Sequence, residues 1–271
     1  MDLVDAQLHT SDDEPEHRPV PELVAMMDAV GVGRAILVQL SALGTDNDYL
    51  LAAADRYPDR FAVVGALDPK APDQDELLGR WRELPRTVGV RVPAAAPAAR
   101  EALAGGGFDA QFAAAERLGV PVCLFAPNQF DEARRIAARH PDLLLVLDHL
   151  GLPTPPGMDP GPEPFAALAE LLALAELPNV AVKCSGSAAL SHVPYPFADL
   201  WPHLHSLLEA FGTERVMWGS DATRVASLHT YRDAVNQFTE TDELNAGEKE
   251  ELLGGTVRRL FSIGYDGGEN K

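Results

Sequence analysis

The sequence predicts a single (β/α)8 barrel, and three observations favour that fold class. Short apolar runs alternate with amphipathic helical stretches, which is typical of parallel strands buried on both faces and covered by helices. Eight such units fill the 271 residues at a spacing of ~34 residues. No Gly-x-Gly-x-x-Gly motif follows the first strand, although a dinucleotide-binding open sheet favours one. We therefore expect residues 1–271 to form one barrel domain rather than a doubly wound open sheet.

Each predicted element rests on a local pattern. Apolar residues at helical spacing predict the first helix, which Gly31 ends, and Pro58 ends the second. Asp131 and Glu132 suit the N-terminus of a later helix. The predicted strands cover residues 3–9, 35–39, 61–67, 87–92, 122–125, 143–149, 180–186 and 215–221. The predicted helices cover residues 22–30, 46–57, 74–84, 111–118, 131–139, 165–177, 197–211, 231–238 and 248–261.

Two polar, proline-containing segments interrupt this rhythm. Residues 10–21 follow the first strand, and residues 152–164, rich in Pro and Gly, follow the sixth. A loop as long as the second one in a compact domain is more often functional than accidental. We expect it to overhang a site.

Composition and charge exclude several classes of function. With 46% hydrophobic and 23% charged residues the chain is globular, and its net charge of −19 argues against binding nucleic acid. No apolar run approaches the ~20 residues that cross a bilayer, and the N-terminus has no signal-peptide pattern. Cys123 and Cys184 lie in apolar strands without metal-binding spacing, which predicts buried thiols in a cytoplasmic protein. A homodimer is the base-rate expectation.

The first strand carries an unusual polar face. Because side chains alternate along a strand, Asp5, Gln7 and His9 are expected on one side and the apolar residues between them on the other. Such a face needs partners or a function if it is buried. The alternative is an edge strand whose polar face contacts water.

Polar side chains recur at the predicted carboxyl ends of later strands, where active sites of (β/α)8 barrels lie. Residues expected to face inward lower down the strands, such as Leu145, Leu147 and Gly219, are apolar or small. This change in polarity along the strands predicts a site at the barrel mouth. The candidate residues are Gln7, His9, Arg91, His149, Lys183 and Asp221.

Most candidates also have a structural interpretation. His9 and His149 could be hydrogen-bonded core histidines, and Arg91 could pair with a neighbouring carboxylate. Lys183 could extend its ammonium out of the barrel. Asp221 has the weakest structural interpretation, since a Gly-Ser-Asp strand end gives the carboxylate no packing purpose.

Four segments stand in the order found in a known family: Asp5-x-Gln7-x-His9, Val146-Leu-Asp-His149-Leu-Gly151-x-Pro153, Val182-Lys183-x-Ser185-Gly186 and Arg215-Val-Met-Trp-Gly-Ser-Asp221. Through them the chain resembles the "amidohydrolase 2" branch of the amidohydrolase superfamily, from about residue 3 to residue 261. The resemblance implies a (β/α)8 barrel and membership of a family that includes lactonases, other hydrolases and non-oxidative decarboxylases. It also implies that His9, His149 and Asp221 occupy functional positions.

The chain departs from the family pattern at three places. Gln7 stands where the family's opening Asp-x-His-x-His motif has its first histidine. The fifth strand ends Leu124-Phe125-Ala126-Pro127, without the histidine that metal-dependent members carry there. Arg224 follows Asp221 where many members have Trp-Pro, which adds a cation at the mouth.

These departures predict that no cofactor is needed. A zinc site wants three or four good N, O or S ligands, and a neutral amide is a weak zinc donor. The family that the chain resembles has metal-independent members in its lactonase branch, which fits this expectation. If a divalent zinc or manganese ion is bound nevertheless, its ligands are His9, His149 and Asp221.

The favoured hypothesis is a hydrolase that attacks a carbonyl with water, acting on a lactone or ester of a small carboxylic acid. Asp221 is the expected general base, with a pKa raised by desolvation, and His9, His149 and the Gln7 amide polarise the carbonyl. One alternative is a metal-dependent non-oxidative decarboxylase, and another is an inactive barrel that binds a small molecule. The expected substrate-binding cations are Arg91, Lys183 and Arg224.

Overall fold

The computed structural model describes residues 1–11, 19–154, 158–159 and 161–263. Within these ranges eight parallel strands form one sheet in sequential order, β1 to β8, which confirms the predicted (β/α)8 barrel. Backbone hydrogen bonds then join β8 to β1, from Ala6 N to Trp218 O at 3.2 Å and from Asp221 N to Gln7 O at 2.9 Å. These bonds bring the first and last strand ends, which carry the predicted catalytic residues, next to each other.

The strands and helices occur almost where the hydrophobic pattern predicts them. The strands are β1 Leu3–Leu8, β2 Val32–Val38, β3 Phe61–Ala66, β4 Thr87–Pro93, β5 Val122–Phe125, β6 Leu145–Leu147, β7 Val180–Lys183 and β8 Val216–Met217. The helices are α1 Val20–Val30, α2 Asp48–Arg56, α3 Gln74–Glu83, α4 Pro97–Ala104, α5 Asp109–Leu118, α6 Phe130–Arg139, α7 Leu168–Leu172, α8 Trp201–Phe211, α9 Tyr231–Thr239, α10 Ala246–Glu250 and α11 Thr256–Leu260.

Three helical regions differ from the prediction. The predicted helix 165–177 is α-helical only over Leu168–Leu172 and continues as a 3-10 turn, Ala173–Glu176. Helix α4 was not predicted, because it is rich in alanine and buries only Leu103, so it shows no apolar periodicity. The predicted final helix is continuous but contains a π-helical turn, Glu251–Gly255, between α10 and α11. Its end carries Phe261, which packs into the barrel interior.

The barrel interior is a small apolar layer, separate from the larger layer between strands and helices. Leu145 and Leu147 were expected to face inward, but they pack in the outer layer, and Val146 faces inward instead. Strand β6 is apolar on both faces, so its sequence has no alternation to define its register. The interior layer consists of Val4, Ala6, Ile36, Val38, Ala62, Val64, Cys123, Val146, Ala181, Met217, Val257 and Phe261.

Strand β1 also departs from the expected alternation. The pairing of β1 with β2 shifts register between Asp5 and Leu8. Asp5 points into the helical shell, where Tyr231 of α9 donates a hydrogen bond to its carboxylate at 2.9 Å. Gln7 and His9 therefore face the barrel mouth without Asp5, and the prediction that all three share one face was wrong.

Gly219 allows β1, β7 and β8 to approach closely. A Cβ atom there would lie 2.8 Å from Gln7 Cβ and 3.0 Å from Ser185 Cβ. We expect Gly219→Ala to lower the free energy of unfolding by about 1–3 kcal/mol through overpacking. The matched control is Gly79→Ala in α3, where no atom lies within 4 Å and alanine should raise stability by about 0.5–1 kcal/mol. Urea unfolding measures both, and an unchanged midpoint for Gly219→Ala would contradict the close approach.

The remaining predictions on the fold have mixed outcomes. Cys123 and Cys184 are both buried and not in a disulfide, as expected. The described ranges contain no helix with the length and apolar character to cross a bilayer. Parts of the predicted loops, residues 12–18, 155–157 and 160, lie outside the described residues, so the expected overhanging role of the second loop stays a prediction.

Candidate active site

His9, His149 and Asp221 converge at the carboxyl ends of the strands. His9 Nε2 lies 3.4 Å from Asp221 Oδ1, and His149 Nδ1 lies 3.9 Å from Asp221 Oδ2. All three side chains are almost completely buried. The structure therefore brings together the three groups that the sequence predicts, from β1, from the turn after β6 and from the turn after β8.

His9 is held on both sides of its ring. Its Nδ1 lies 2.7 Å from the backbone oxygen of Val38 at the end of β2. Its Nε2 lies 3.2 Å from Gln7 Nε2. The backbone N–H of His9 also donates to the hydroxyl of Thr223 at 3.2 Å, which ties the end of β1 to the loop after β8.

His149 enters the site through a left-handed turn. Its φ of 53° and that of Leu150, 60°, are uncommon for residues with a side chain, and such strain is typical of functional sites. The Ser185 hydroxyl lies 2.9 Å from Nδ1, and the Phe125 ring packs edge-on against the imidazole. Burial lowers the pKa of His149 to about 4, so the ring is neutral at neutral pH.

Asp221 is also in the left-handed region, with φ of 53°. Arg224 Nε donates to its Oδ2, while Oδ1 has no hydrogen-bond partner among the described residues. Burial alone would raise the pKa of Asp221, but the Arg224 guanidinium and the two imidazoles hold it well below its ordinary value. The expectation of a pKa raised by desolvation was therefore wrong, because the neighbouring cation outweighs burial.

Arg91 and Lys183 lie below the mouth and share one carboxylate. Asp148 Oδ2 lies 3.1 Å from Arg91 Nε, and Asp148 Oδ1 lies 3.1 Å from Lys183 Nζ. Lys183 is 0% exposed and Arg91 3% exposed, whereas the Arg224 side chain is 22% exposed. Of the three predicted substrate-binding cations, Arg224 is thus the one the structure leaves partly accessible.

Charge pairing keeps Asp148 and Lys183 ionised although both side chains are buried. Burial alone would raise the pKa of Asp148, but Lys183 and Arg91 hold it at about 2. Burial alone would lower the pKa of Lys183, but the Asp148 carboxylate keeps it above its ordinary value. Both groups are therefore charged at neutral pH.

Sequence reasoning missed three residues of this region. Asp148 lies in the Asp-His-Leu-Gly segment. Val146 pairs with Cys123 and faces the barrel interior with it. Asp148, two residues beyond Val146, is expected on the same inward side. Ser185, two residues beyond Lys183, contacts His149. Thr223 gave no signal in the sequence.

The candidate ligands do not fit a divalent metal ion in this arrangement. The described residues contain no group of three His, Cys, Asp or Glu side chains that could hold one. The donor chemistry accounts for this: the Gln7 amide nitrogen faces His9 Nε2, and the Arg224 guanidinium occupies Asp221 Oδ2. Both contacts place donors of hydrogen bonds where a metal needs lone pairs.

Comparison with known proteins gives consistent matches along the chain. A family model described as amidohydrolase matches residues 7–263. An L-fucono-1,5-lactonase of Burkholderia multivorans is 30% identical over 260 residues, covering 88% of this chain and 83% of the relative. A 4-sulfomuconolactone hydrolase of Rhizobium radiobacter is 27% identical over 216 residues, covering 76% of this chain and 67% of the relative.

Solved structures agree in fold over nearly the whole chain. An amidohydrolase from Burkholderia multivorans with bound HEPES has a TM-score of 0.79 at 25% identity, with 97% of this chain and 99% of that chain covered. A second crystal form of that amidohydrolase contains zinc. A putative 2-pyrone-4,6-dicarboxylic acid hydrolase from Pseudomonas putida has a TM-score of 0.78 at 27% identity, with 98% and 99% covered.

Proposed function

The chain belongs to the amidohydrolase family, and on that premise we propose that it hydrolyses a lactone of a small carboxylic acid. The enzyme is a hydrolase, and water adds to the ring carbonyl of its substrate. The curated relatives are named for L-fucono-1,5-lactone and 4-sulfomuconolactone, which supports a lactone as the substrate class. The observation that carries the proposal is the convergence of His9, His149 and Asp221 at one buried strand end.

Asp221 is proposed as the general base. Its Oδ1, which has no hydrogen-bond partner among the described residues, accepts a proton from the attacking water. Arg224 opposes this role while it pairs with Asp221, because it stabilises the charged carboxylate. A carboxylate on the substrate would draw the partly accessible Arg224 guanidinium towards itself, which lets the pKa of Asp221 rise towards that of a useful base.

His149 is proposed to polarise the lactone carbonyl. Two groups of Ser185 lie against Nδ1: its hydroxyl at 2.9 Å, which can donate, and its backbone oxygen at 3.3 Å, which can only accept. We propose that the shorter contact prevails, with the hydroxyl donating to Nδ1 and the ring proton on Nε2. A neutral imidazole with a proton on Nε2 is a hydrogen-bond donor to the developing oxyanion. The Gln7 amide lies in the same region and supports the same role.

We also propose that the reaction needs no metal ion, because His9 and Asp221 already accept hydrogen bonds from Gln7 and Arg224. We expect protein purified without added metal to keep full turnover after treatment with a strong chelator. Elemental analysis and assays before and after chelation check this. Activity that disappears with chelation and returns with zinc or manganese would support the metal-dependent alternative with His9, His149 and Asp221 as ligands.

A substrate screen tests the proposed function itself. We would assay L-fucono-1,5-lactone, 4-sulfomuconolactone and 2-pyrone-4,6-dicarboxylate for release of acid, and aryl carboxylates for release of carbon dioxide. Hydrolysis of at least one lactone, with no carbon dioxide released, is expected. Release of carbon dioxide from an aryl acid would identify a decarboxylase. Saturable thermal stabilisation by these compounds without any product would identify a binding protein.

Two further properties belong to this proposal. We place the protein in the cytoplasm because Cys123 and Cys184 are buried thiols, which fits a reducing compartment. A homodimer stays a prediction from base rates, and light scattering of the purified protein measures it.

A further inference from the structure

A chain of contacts runs from the buried ion pair to the first catalytic histidine. Asp148 Oδ1 lies 3.1 Å from Lys183 Nζ, and Lys183 Nζ lies 2.9 Å from Gln7 Oε1. Gln7 Nε2 then lies 3.2 Å from His9 Nε2, and His9 Nδ1 lies 2.7 Å from Val38 O. Each of these four residues is at most 1% exposed, so water competes little with these contacts.

The lysine determines the orientation of the Gln7 amide. An ammonium group has three N–H donors and no acceptor, so the Gln7 atom that faces it must be the oxygen. The oxygen and nitrogen of a glutamine amide are otherwise hard to tell apart from its shape. With Oε1 turned to Lys183, the amide N–H groups must turn towards His9.

The orientation of Gln7 in turn determines the protons of His9. An amide nitrogen only donates, so His9 Nε2 accepts and carries a lone pair. A backbone carbonyl only accepts, so His9 Nδ1, beside Val38 O, carries the proton. The contacts on the two sides of the ring require the same tautomer, which makes the assignment mutually consistent.

We propose that Lys183 is a positioning residue, which acts through Gln7 to keep His9 with its proton on Nδ1 and a lone pair on Nε2. This inference rests on the proposed function and changes the role of one residue in it. In this tautomer His9 has no N–H at Nε2 to polarise a carbonyl. The lone pair of Nε2 accepts from the Gln7 amide, which leaves Asp221 Oδ1, 3.4 Å from Nε2, as the acceptor for a proton of the attacking water.

The proton balance of the step is simple. One O–H bond of water breaks as the water oxygen bonds to the lactone carbonyl carbon. The proton moves to Asp221 Oδ1, and the carbonyl electron pair moves to the oxyanion that His149 stabilises. Collapse of the tetrahedral intermediate breaks the ring C–O bond, and the same proton passes to the leaving alkoxide oxygen.

Nuclear magnetic resonance of the ¹⁵N-labelled histidine ring tests the inference without any substrate. At a pH where a free imidazole is neutral, we expect wild-type His9 to show an N–H signal at Nδ1 and none at Nε2. In Gln7→Glu, both neighbours of the ring are acceptors, so an N–H signal should appear at Nε2. The control is Gln237→Glu, which places a carboxylate in a buried glutamine position on α9 and should leave the His9 signals unchanged.

The lysine itself is tested by Lys183→Met, which keeps the length of the side chain without donors. Freed from the ammonium, the Gln7 amide should rotate, and the His9 spectrum should gain an Nε2 N–H population. With a hydrolysed lactone in hand, kcat should fall by about 10²-fold with KM changed little, as a positioning role requires. A rise in KM for an anionic lactone alone would instead assign Lys183 to substrate binding.

Two outcomes would overturn the inference. A wild-type His9 that carries its proton on Nε2 would contradict the tautomer directly, whatever the variants do. A Lys183→Met protein that folds and keeps the wild-type His9 spectrum would remove Lys183 from the role. If Lys183→Met does not fold, the wild-type and Gln7→Glu spectra still decide the tautomer. Failure of the substrate screen affects none of these spectra.

Discussion

Replacing Asp221 by asparagine should abolish lactone hydrolysis and leave the barrel folded. The asparagine side chain has nearly the same shape as aspartate, so the contact with Arg224 changes while the packing around the site remains. The variant loses the carboxylate that accepts the proton of water, and general-base catalysis contributes about 10²–10⁴-fold to a rate. We expect kcat to fall by about 10³-fold, measured with the best lactone from the screen.

A second buried aspartate provides the control. Asp5 lies at the same end of the barrel but faces the helical shell, where Ser220 and Tyr231 donate hydrogen bonds to it. Burial raises the pKa of Asp5 to about 6 despite these donors. Asp5→Asn should keep kcat within a few-fold of the wild type. An Asp221→Asn enzyme as active as Asp5→Asn would end the assignment of Asp221 as the base.

The second large effect is on stability and comes from Asp148. Asp148→Asn leaves the Arg91 and Lys183 cations buried without a counter-charge, and breaking a buried pair in this way typically costs about 3–5 kcal/mol. We expect the free energy of unfolding in urea to fall by that amount. The control is Asp75→Asn, because Asp75 pairs with Arg117 at the surface, where both side chains are more than half exposed. Surface pairs contribute about 0–1 kcal/mol, so this variant should change stability little.

The stability difference between the wild type and Asp148→Asn should also depend on pH. The pKa of Asp148 is about 2 in the folded protein and near its ordinary value of 3.8 in the unfolded chain, so its stabilising effect is fully present above about pH 4. It is lost as the pH falls through about 2. The difference in stability between the wild type and Asp148→Asn should therefore be constant from neutral pH to about pH 4 and shrink below it. A difference that disappears between about pH 7 and pH 5 would contradict the depressed pKa.

Much of the fold follows from the sequence because the hydrophobic pattern is strong. All eight strands were predicted, since buried parallel strands are short apolar runs separated by amphipathic helices. Their register could not be predicted where both faces are apolar, as at Val146 in β6. Nor could the register shift in β1, which turns Asp5 away from Gln7 and His9.

The convergence of three candidate residues could be predicted, but not the contacts around them. His9, His149 and Asp221 could be chosen because polar groups at strand ends need a purpose. Their electrostatics could not be predicted, because these depend on which cation reaches which carboxylate. Arg224 reaches Asp221 from three residues along the chain, whereas Lys183 reaches Asp148 from a different strand. The first pairing reverses the expected direction of the Asp221 pKa, and the second turns Lys183 inward.

The role of Asp221 as a base is tested by a single turnover in water labelled with ¹⁸O, with enzyme in excess over lactone. If Asp221 acts as a base towards water, the new carboxylate of the first product molecule carries one ¹⁸O atom. If Asp221 instead attacks the carbonyl itself and water then opens the resulting anhydride at the aspartyl carbon, the first product is unlabelled and ¹⁸O appears in the Asp221 side chain. We expect the labelled product, and a labelled aspartate would contradict the role of Asp221 as a base.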